Sequence, residues 1–265
     1  MGSGGAKTCW ECQNVCSPYY RFWPDPSGFC VPYSCMEPNR FVKQDMNLIR
    51  SMLRKLAEVA ATGDADALAE LEISYGFNYR EHGWLFRESS QGLDLHEVVM
   101  WDWFHTWVQG GVCDNEMTAL FKILDKTTVG REALHEYLQL WMWPHGYASA
   151  AGVAEKGKVD GSGSELLSLL PVLALFLTNV FLPDGVATEA ALSMLACIEV
   201  MDLLMNCLGD RIVSPEQLDA AILKHAKARL KAYGDSLSQP KSHYQFHLSR
   251  ALRVFGFLIS TFTQE

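Results

Sequence analysis

The 265-residue chain lacks any basic surplus: 22 Lys and Arg stand against 31 Asp and Glu, a formal net charge of −9. An autonomous nucleic-acid-binding domain normally carries a clustered positive footprint, so composition argues against one. No apolar core follows the Gly/Ser-rich start at Met1–Lys7, and no secretory signal is expected there. The sequence has no Walker loop, GxGxxG, GxSxG, kinase motif or HExxH, which removes support for nucleotide-fold, serine-hydrolase and metalloprotease chemistry. It also has no internal repeat and only one long hydrophobic run, Leu166 to Leu182. That run is slightly short for a bilayer span, contains Pro171, Thr178 and Asn179, and is bracketed by Glu165 and Asp184 rather than by Lys or Arg. A buried core helix is expected, and no membrane partner.

What remains is an ordinary globular composition, 49% hydrophobic and 20% charged, with eight tryptophans. The length suits one large domain or two small ones. Residues 1–38 read as a Cys-rich, loop-rich module, broken by Pro18, Pro24, Pro26, Pro32 and Pro38. Residues 39–92 form a helical segment: Phe41, Met46, Ile49, Met52, Leu53, Leu56 and Ala60 recur at helical spacing, and Asp64 is placed to cap a second helix. Residues 93–147 begin with a β-branched run, Leu95 to Trp101, expected as a short buried strand feeding a helix that starts at Asp102. Two further short helices are expected at Asn115–Leu124 and Gly130–Trp141. A Gly-rich loop is expected over 148–164. The rest, 165–265, reads as a helical domain with helices near 165–182, 188–208, 215–233 and 243–255, and a terminal strand over Phe257–Phe262. The fold class is therefore mainly α, a helical array with a few short strands.

Four constellations carry possible chemistry. Asp102 and His105, three apart, fall on one helical face, where a carboxylate could hold a divalent cation and the imidazole could orient it or bind a phosphate. The alternative is that Asp102 caps the helix and His105 packs among neighbouring aromatics. Five of the eight cysteines crowd into the first 35 residues, and Cys9, Cys12, Cys30 and Cys35 supply enough thiolates for one tetrahedral zinc, or else remain free thiols. Cys113, Cys197 and Cys207 lie in apolar patterns and read as buried thiols of a reducing, intracellular compartment. His243 and His247, four apart, suit a metal or phosphate site on one helical face, or a pair of packed histidines. Lys224, Lys227 and Lys231 share a helical face and, with Lys241 and His243, could follow a phosphate backbone; the alternative is a solvated face.

In order along the chain, the landmarks are Cys9-Trp10-Glu11-Cys12-Gln13-Asn14-Val15, then Trp101-Asp102-Trp103-Phe104-His105-Thr106-Trp107-Val108. They continue with Leu170-Pro171-Val172-Leu173, Pro240-Lys241-Ser242-His243-Tyr244-Gln245-Phe246-His247-Leu248 and Phe262-Thr263-Gln264-Glu265. Taken together, they resemble the central and C-terminal part of transposases of the CACTA group of DNA transposons. The resemblance implies an RNase H-like sheet with a helical insertion, DNA as partner and a nuclear address. It also implies a Mg²⁺-dependent strand-cleavage site in which Asp102 and Glu265 hold metal and His105 positions. The first catalytic acid of that pattern would lie upstream of Cys9, where this sequence offers none. The expectation is thus a transposase-like fragment without activity of its own. Its rival is a non-enzymatic helical interaction protein with a zinc-stapled N-terminus.

Overall fold

A computed structural model describes residues 6–19, 24–90, 92–127, 130–143, 152, 161–207 and 212–258. The chain divides into two compact units. The first comprises Met1–Met100 with Ser238–Tyr244, and the second Trp101–Leu237 with Gln245–Glu265.

In the first unit, regular structure is sparse before residue 46. Two strands of two residues each, β1 (Val15–Cys16) and β2 (Val31–Pro32), pair in parallel with Val15 opposite Val31. One buried side chain does much of the bracing. The Asn14 amide nitrogen donates to the Phe29 carbonyl (3.0 Å) and the Arg40 carbonyl (2.8 Å), while its oxygen accepts from the Val42 amide (2.9 Å). Two segments, around Phe29 and around residues 40–42, are thereby fastened to one residue.

Two helices follow. α1 (Met46–Thr62) starts where the Asp45 carboxylate accepts from the Asn47 amide and stops at Gly63, whose φ of 76° suits glycine. Its buried stripe, Ile49, Leu53 and Leu56, has the spacing of one helical face. α2 (Ala65–Tyr75) is capped by Asp64, which accepts from the Ala67 amide. The segment Leu95–Trp101 departs from expectation. It holds a one-turn helix, α3 (Leu95–Val98), in place of a strand, because the Asp94 carboxylate accepts from the His96 amide and closes a helical turn. A β-branched run this short has no neighbouring strand to pair with, so the local cap prevails. α10 (Pro240–Tyr244) completes this unit.

Among its described residues, the regular structure of the second unit is all helical. α4 (Trp103–Trp107), α5 (Val112–Leu124), α6 (Gly130–Gln139), α7 (Gly163–Phe176), α8 (Thr188–Asn206), α9 (Pro215–Tyr233) and α11 (Leu248–Phe255) follow in order. Capping boxes start two of them: Ser162 with Glu165 before α7, and Ser214 with Gln217 before α9, where Pro215 occupies the first turn. The broadest helix–helix contact is between α8 and α9. Small residues on α8 (Ala190, Ala191, Ala196) permit close approach, and α9 buries Leu218, Ala221, Ile222, His225, Ala226 and Arg229. Those α9 positions lie three, four, seven, eight and eleven residues beyond the first, which is a helical stripe, but two of its members are polar.

The apolar run is a core helix in this fold. Gly163–Asp184 is long and apolar enough to cross a membrane by length and composition. Leu166, Leu169, Leu170, Leu173, Phe176, Leu177 and Phe181 are nevertheless buried, and the segment packs against α6 and α8. After Pro171 the helix loosens into a π-helical turn over Leu177–Phe181. Within the Gly-rich stretch 148–164, α7 already begins at Gly163, and most of the remainder lies outside the described residues. Of the expected terminal strand only Phe257 and Leu258 are described, and neither is in a strand. The mainly α fold stands; among the described residues, strands occur only in the Cys-rich N-terminal part.

Gly111 shows how tightly the α4–α5 corner is packed. A Cβ there would meet the Trp107 carbonyl carbon at 2.4 Å and the Thr106 carbonyl oxygen at 2.7 Å, both backbone atoms that cannot swing aside. Gly111→Ala is expected to lower unfolding free energy by about 1–3 kcal/mol, the usual cost of overpacking. Urea denaturation checks it, and an unchanged midpoint would show that the corner yields.

Candidate metal centre

The Cys9-Trp10-Glu11-Cys12 loop is framed by backbone pairing on both sides. Lys7 bridges Cys16 in antiparallel fashion, and Cys12 bridges Lys43. Within that frame the Thr8 amide donates to the Val15 carbonyl (3.3 Å), the Gln13 amide to Val42 (2.9 Å) and the Gln44 amide to Glu11 (2.7 Å). The Lys7 ammonium donates to the Gln44 side-chain oxygen at 2.5 Å, and His96 Nε2 lies 3.0 Å from the Gln44 carbonyl. A turn held this way points both cysteine side chains inward, and both are buried.

The segment carrying His243 meets this loop. Tyr244 donates its hydroxyl to the Thr8 carbonyl at 2.5 Å, and the Phe41 ring stands edge-on to His243, centroids 4.5 Å apart. Cys9, Cys12 and His243 each bring one donor atom to within 4.8 Å of the others, and all three side chains are buried. His247, four residues beyond His243 in sequence, is a fourth donor candidate by spacing. Around a tetrahedral zinc, bonds of about 2.0–2.3 Å place ligand atoms roughly 3.3–3.8 Å apart, so only a small contraction is needed. Two thiolates and two neutral imidazoles around Zn²⁺ leave no net charge, which suits a buried position. Without metal, burial and the neighbouring Cys12 thiol push the Cys9 thiol well above its ordinary value. Metal binding must therefore displace thiol protons, and affinity falls with pH. A group that is all protein and leaves no open position matches structural rather than catalytic zinc.

The ligand set differs from the four cysteines expected from spacing. Cys30 lies against Cys16, where burial and that contact push the Cys16 thiol up to about 12. Cys35 points its sulfur toward the Glu37 carbonyl at 4.0 Å. Neither belongs to the group with Cys9 and Cys12. The histidine pair was visible in the sequence as a possible metal half-site. What hid the match is that its C-x-x-C counterpart lies near the opposite end of the chain.

Asp102 takes the capping role. Its Oδ1 accepts from the Phe104 amide (2.9 Å) and the His105 amide (3.3 Å), and its Oδ2 lies 2.8 Å from His105 Nδ1. Thr106 adds a hydroxyl bond to the Asp102 carbonyl at 2.7 Å. Both carboxylate oxygens are thus used inside one helical turn. Among the described residues, Asp102 joins no group of three metal-binding side chains. Glu265 lies outside the described residues. Lys224 pairs with Glu199 at 2.5 Å and Lys231 with Glu189 at 3.0 Å, acids supplied by α8, while Lys227 is exposed and Lys241 half-buried. His243 is fully buried and cannot lie on a phosphate backbone. Of the scattered cysteines, Cys113 and Cys197 are buried, whereas Cys207 is only half-buried.

Comparison with protein-family models, with curated proteins and with solved structures finds no match to this chain.

Asp102→Ala should cost about 1 kcal/mol, the usual loss when an N-cap side chain is removed. The same loss is expected in urea unfolding with or without Mg²⁺. A loss that appears only with Mg²⁺ present would instead mark the carboxylate as a metal ligand.

Proposed function

We propose that this chain is a zinc-stapled helical module that serves binding or assembly rather than catalysis, with Cys9, Cys12, His243 and His247 as the zinc ligands. The observation that carries this is the convergence of the two cysteines of the N-terminal loop with His243 from the far end of the sequence. A metal there ties residues that otherwise have little regular structure to a helical segment, and so contributes folding energy directly. Three further features favour a non-catalytic role. Asp102 is spent on a helix cap, two of the basic residues are neutralised by α8, and the four-donor group leaves no place for substrate.

The resemblance to CACTA-like transposases fits this reading as descent. Two of its landmarks, the Cys9–Val15 run and the Pro240–Leu248 run, supply the two halves of the donor set. A shared zinc gives a physical reason for such distant motifs to occur together. DNA would then be a partner only of a full-length transposase that includes this module, with Mg²⁺ held elsewhere than at Asp102 alone.

The purified chain is expected to contain zinc that Cys9→Ser and His243→Ala each release. Stripping that zinc should lower Tm by roughly 10 °C, from about 4 kcal/mol of linkage at a thousandfold excess over Kd. Zinc content and Tm unchanged in both variants would sink the proposal. On the ancestral side, supercoiled DNA with Mn²⁺ should show no cleavage that depends on Asp102, whereas nicking abolished by Asp102→Ala would restore the catalytic assignment.

A further inference from the structure

The buried stripe of α9 carries polar side chains into the core of the second unit, and they meet others there. α5 contributes Cys113 and Glu116, three residues apart, α8 contributes Ser193 and Cys197, four apart, and α9 contributes His225 and Arg229, four apart. Each pair lies on one helical face. Glu116 accepts from the Ser193 hydroxyl at 2.5 Å through Oε1, and its Oε2 lies 2.5 Å from His225 Nε2. The Cys197 thiol touches the Cys113 thiol. Trp107 closes the pocket, its ring edge-on to His225 with centroids 5.2 Å apart.

A carboxylate, an imidazole and two thiols gathered in a dry core are costly to desolvate, and thiols are weak hydrogen-bonding partners that do little to satisfy the others. Glu116, Cys197 and His225 already place one donor atom each within 4.8 Å of one another, and all three are buried. From this geometry we infer that the second unit holds its own zinc, bound by Glu116, Cys197 and His225 with the adjacent Cys113 as fourth ligand. The site is independent of the N-terminal centre, since none of its residues is shared with it.

Charge balance supports the assignment. Two thiolates and one carboxylate around Zn²⁺ leave a single negative charge, and the buried Arg229 guanidinium stands near both Glu116 and Cys197 to offset it. On binding, the two thiol protons leave to solvent, and the proton shared between His225 Nε2 and Glu116 Oε2 must leave that contact, so that the neutral imidazole carries its one proton on Nδ1 and offers Nε2 to the metal. The ligand bonds would be those of zinc with mixed N, O and S donors, about 2.0–2.3 Å. His225 Nε2 and Glu116 Oε2 would have to separate by roughly 1 Å to admit the ion.

The test is metal counting on the full chain refolded with zinc alone. Two zinc ions per chain are expected in the wild type. Cys197→Ala and Glu116→Gln should each leave one, and Cys9→Ser should remove the other. Glu116→Gln keeps the shape of the side chain and one accepting oxygen, so it reports on ligation even if Cys197→Ala folds poorly. Zinc-edge X-ray absorption on the unmutated protein needs no variant and should show an average shell of two sulfurs with two N or O donors. One zinc per chain, unaffected by Glu116→Gln, overturns the inference, as does a Cys113–Cys197 disulfide found by mass spectrometry. One zinc lost in Glu116→Gln but kept in Cys9→Ser would support this site while removing the N-terminal one.

Discussion

The described residues among 6–45 contain two strands of two residues each and one short 3₁₀ turn, so they bury little through regular structure. A loop-rich segment of this length cannot offset its own conformational entropy by hydrophobic burial alone. Its order depends on side chains that reach it from elsewhere: Asn14 fastening Phe29, Arg40 and Val42, and the Tyr244 hydroxyl on the Thr8 carbonyl. His243 beside Cys9 and Cys12 belongs to the same set of ties. These contacts join positions far apart in sequence, and forming them carries a large loop-closure cost. A metal bound by both ends is the kind of interaction strong enough to meet that cost, which is why the donor group dominates any account of this unit.

The second unit solves the opposite problem. Its core is built from helices, with α8 against α9 the broadest contact, and most of the buried positions on both are apolar. The α9 stripe nevertheless carries His225 and Arg229, and Glu116 on α5 meets His225 and Ser193. Replacing such buried polar groups with apolar residues of similar volume is often neutral or stabilising. Their presence in the core asks for a reason other than stability, and the inferred ion supplies one.

Much of the helical architecture was legible from local signals. α9 runs from Pro215 to Tyr233, where the Ser214-Pro215-Glu216 start signal put it, and α2 follows the predicted Asp64 cap. These features act through nearest neighbours in sequence, so no tertiary knowledge is needed to read them. Leu95–Trp101 was misread because a β-branched run looks like a strand until the competing Asp94 cap is weighed. The metal centre was half legible. Each half-site has ligand spacing, but spacing says nothing about which half-sites meet, and Cys30 and Cys35 were nearer in sequence than His243. The Glu116, Cys197 and His225 group gave no motif at all, since its members come from three helices and look like isolated polar residues in apolar patterns.

Asp102 and His105 show why a short motif leaves the chemistry open. A carboxylate followed three residues later by histidine, at the start of a helix, satisfies two demands at once. As a metal site it needs both groups on one face; as a cap it needs an acid at the N-cap and tolerates any side chain at the third helical position. Here the cap geometry is complete, with Oδ1 on two backbone amides and Oδ2 against His105 Nδ1. The same imidazole contact would orient a metal-bound carboxylate, so the local structure is shared by both roles. What separates them is whether a second carboxylate converges on Asp102, a long-range property that four residues of sequence cannot encode. Cys9, Cys12 and His243 do bring their donor atoms together from opposite ends of the chain, whereas Glu265, the acid that would make the same test for Asp102, lies outside the described residues.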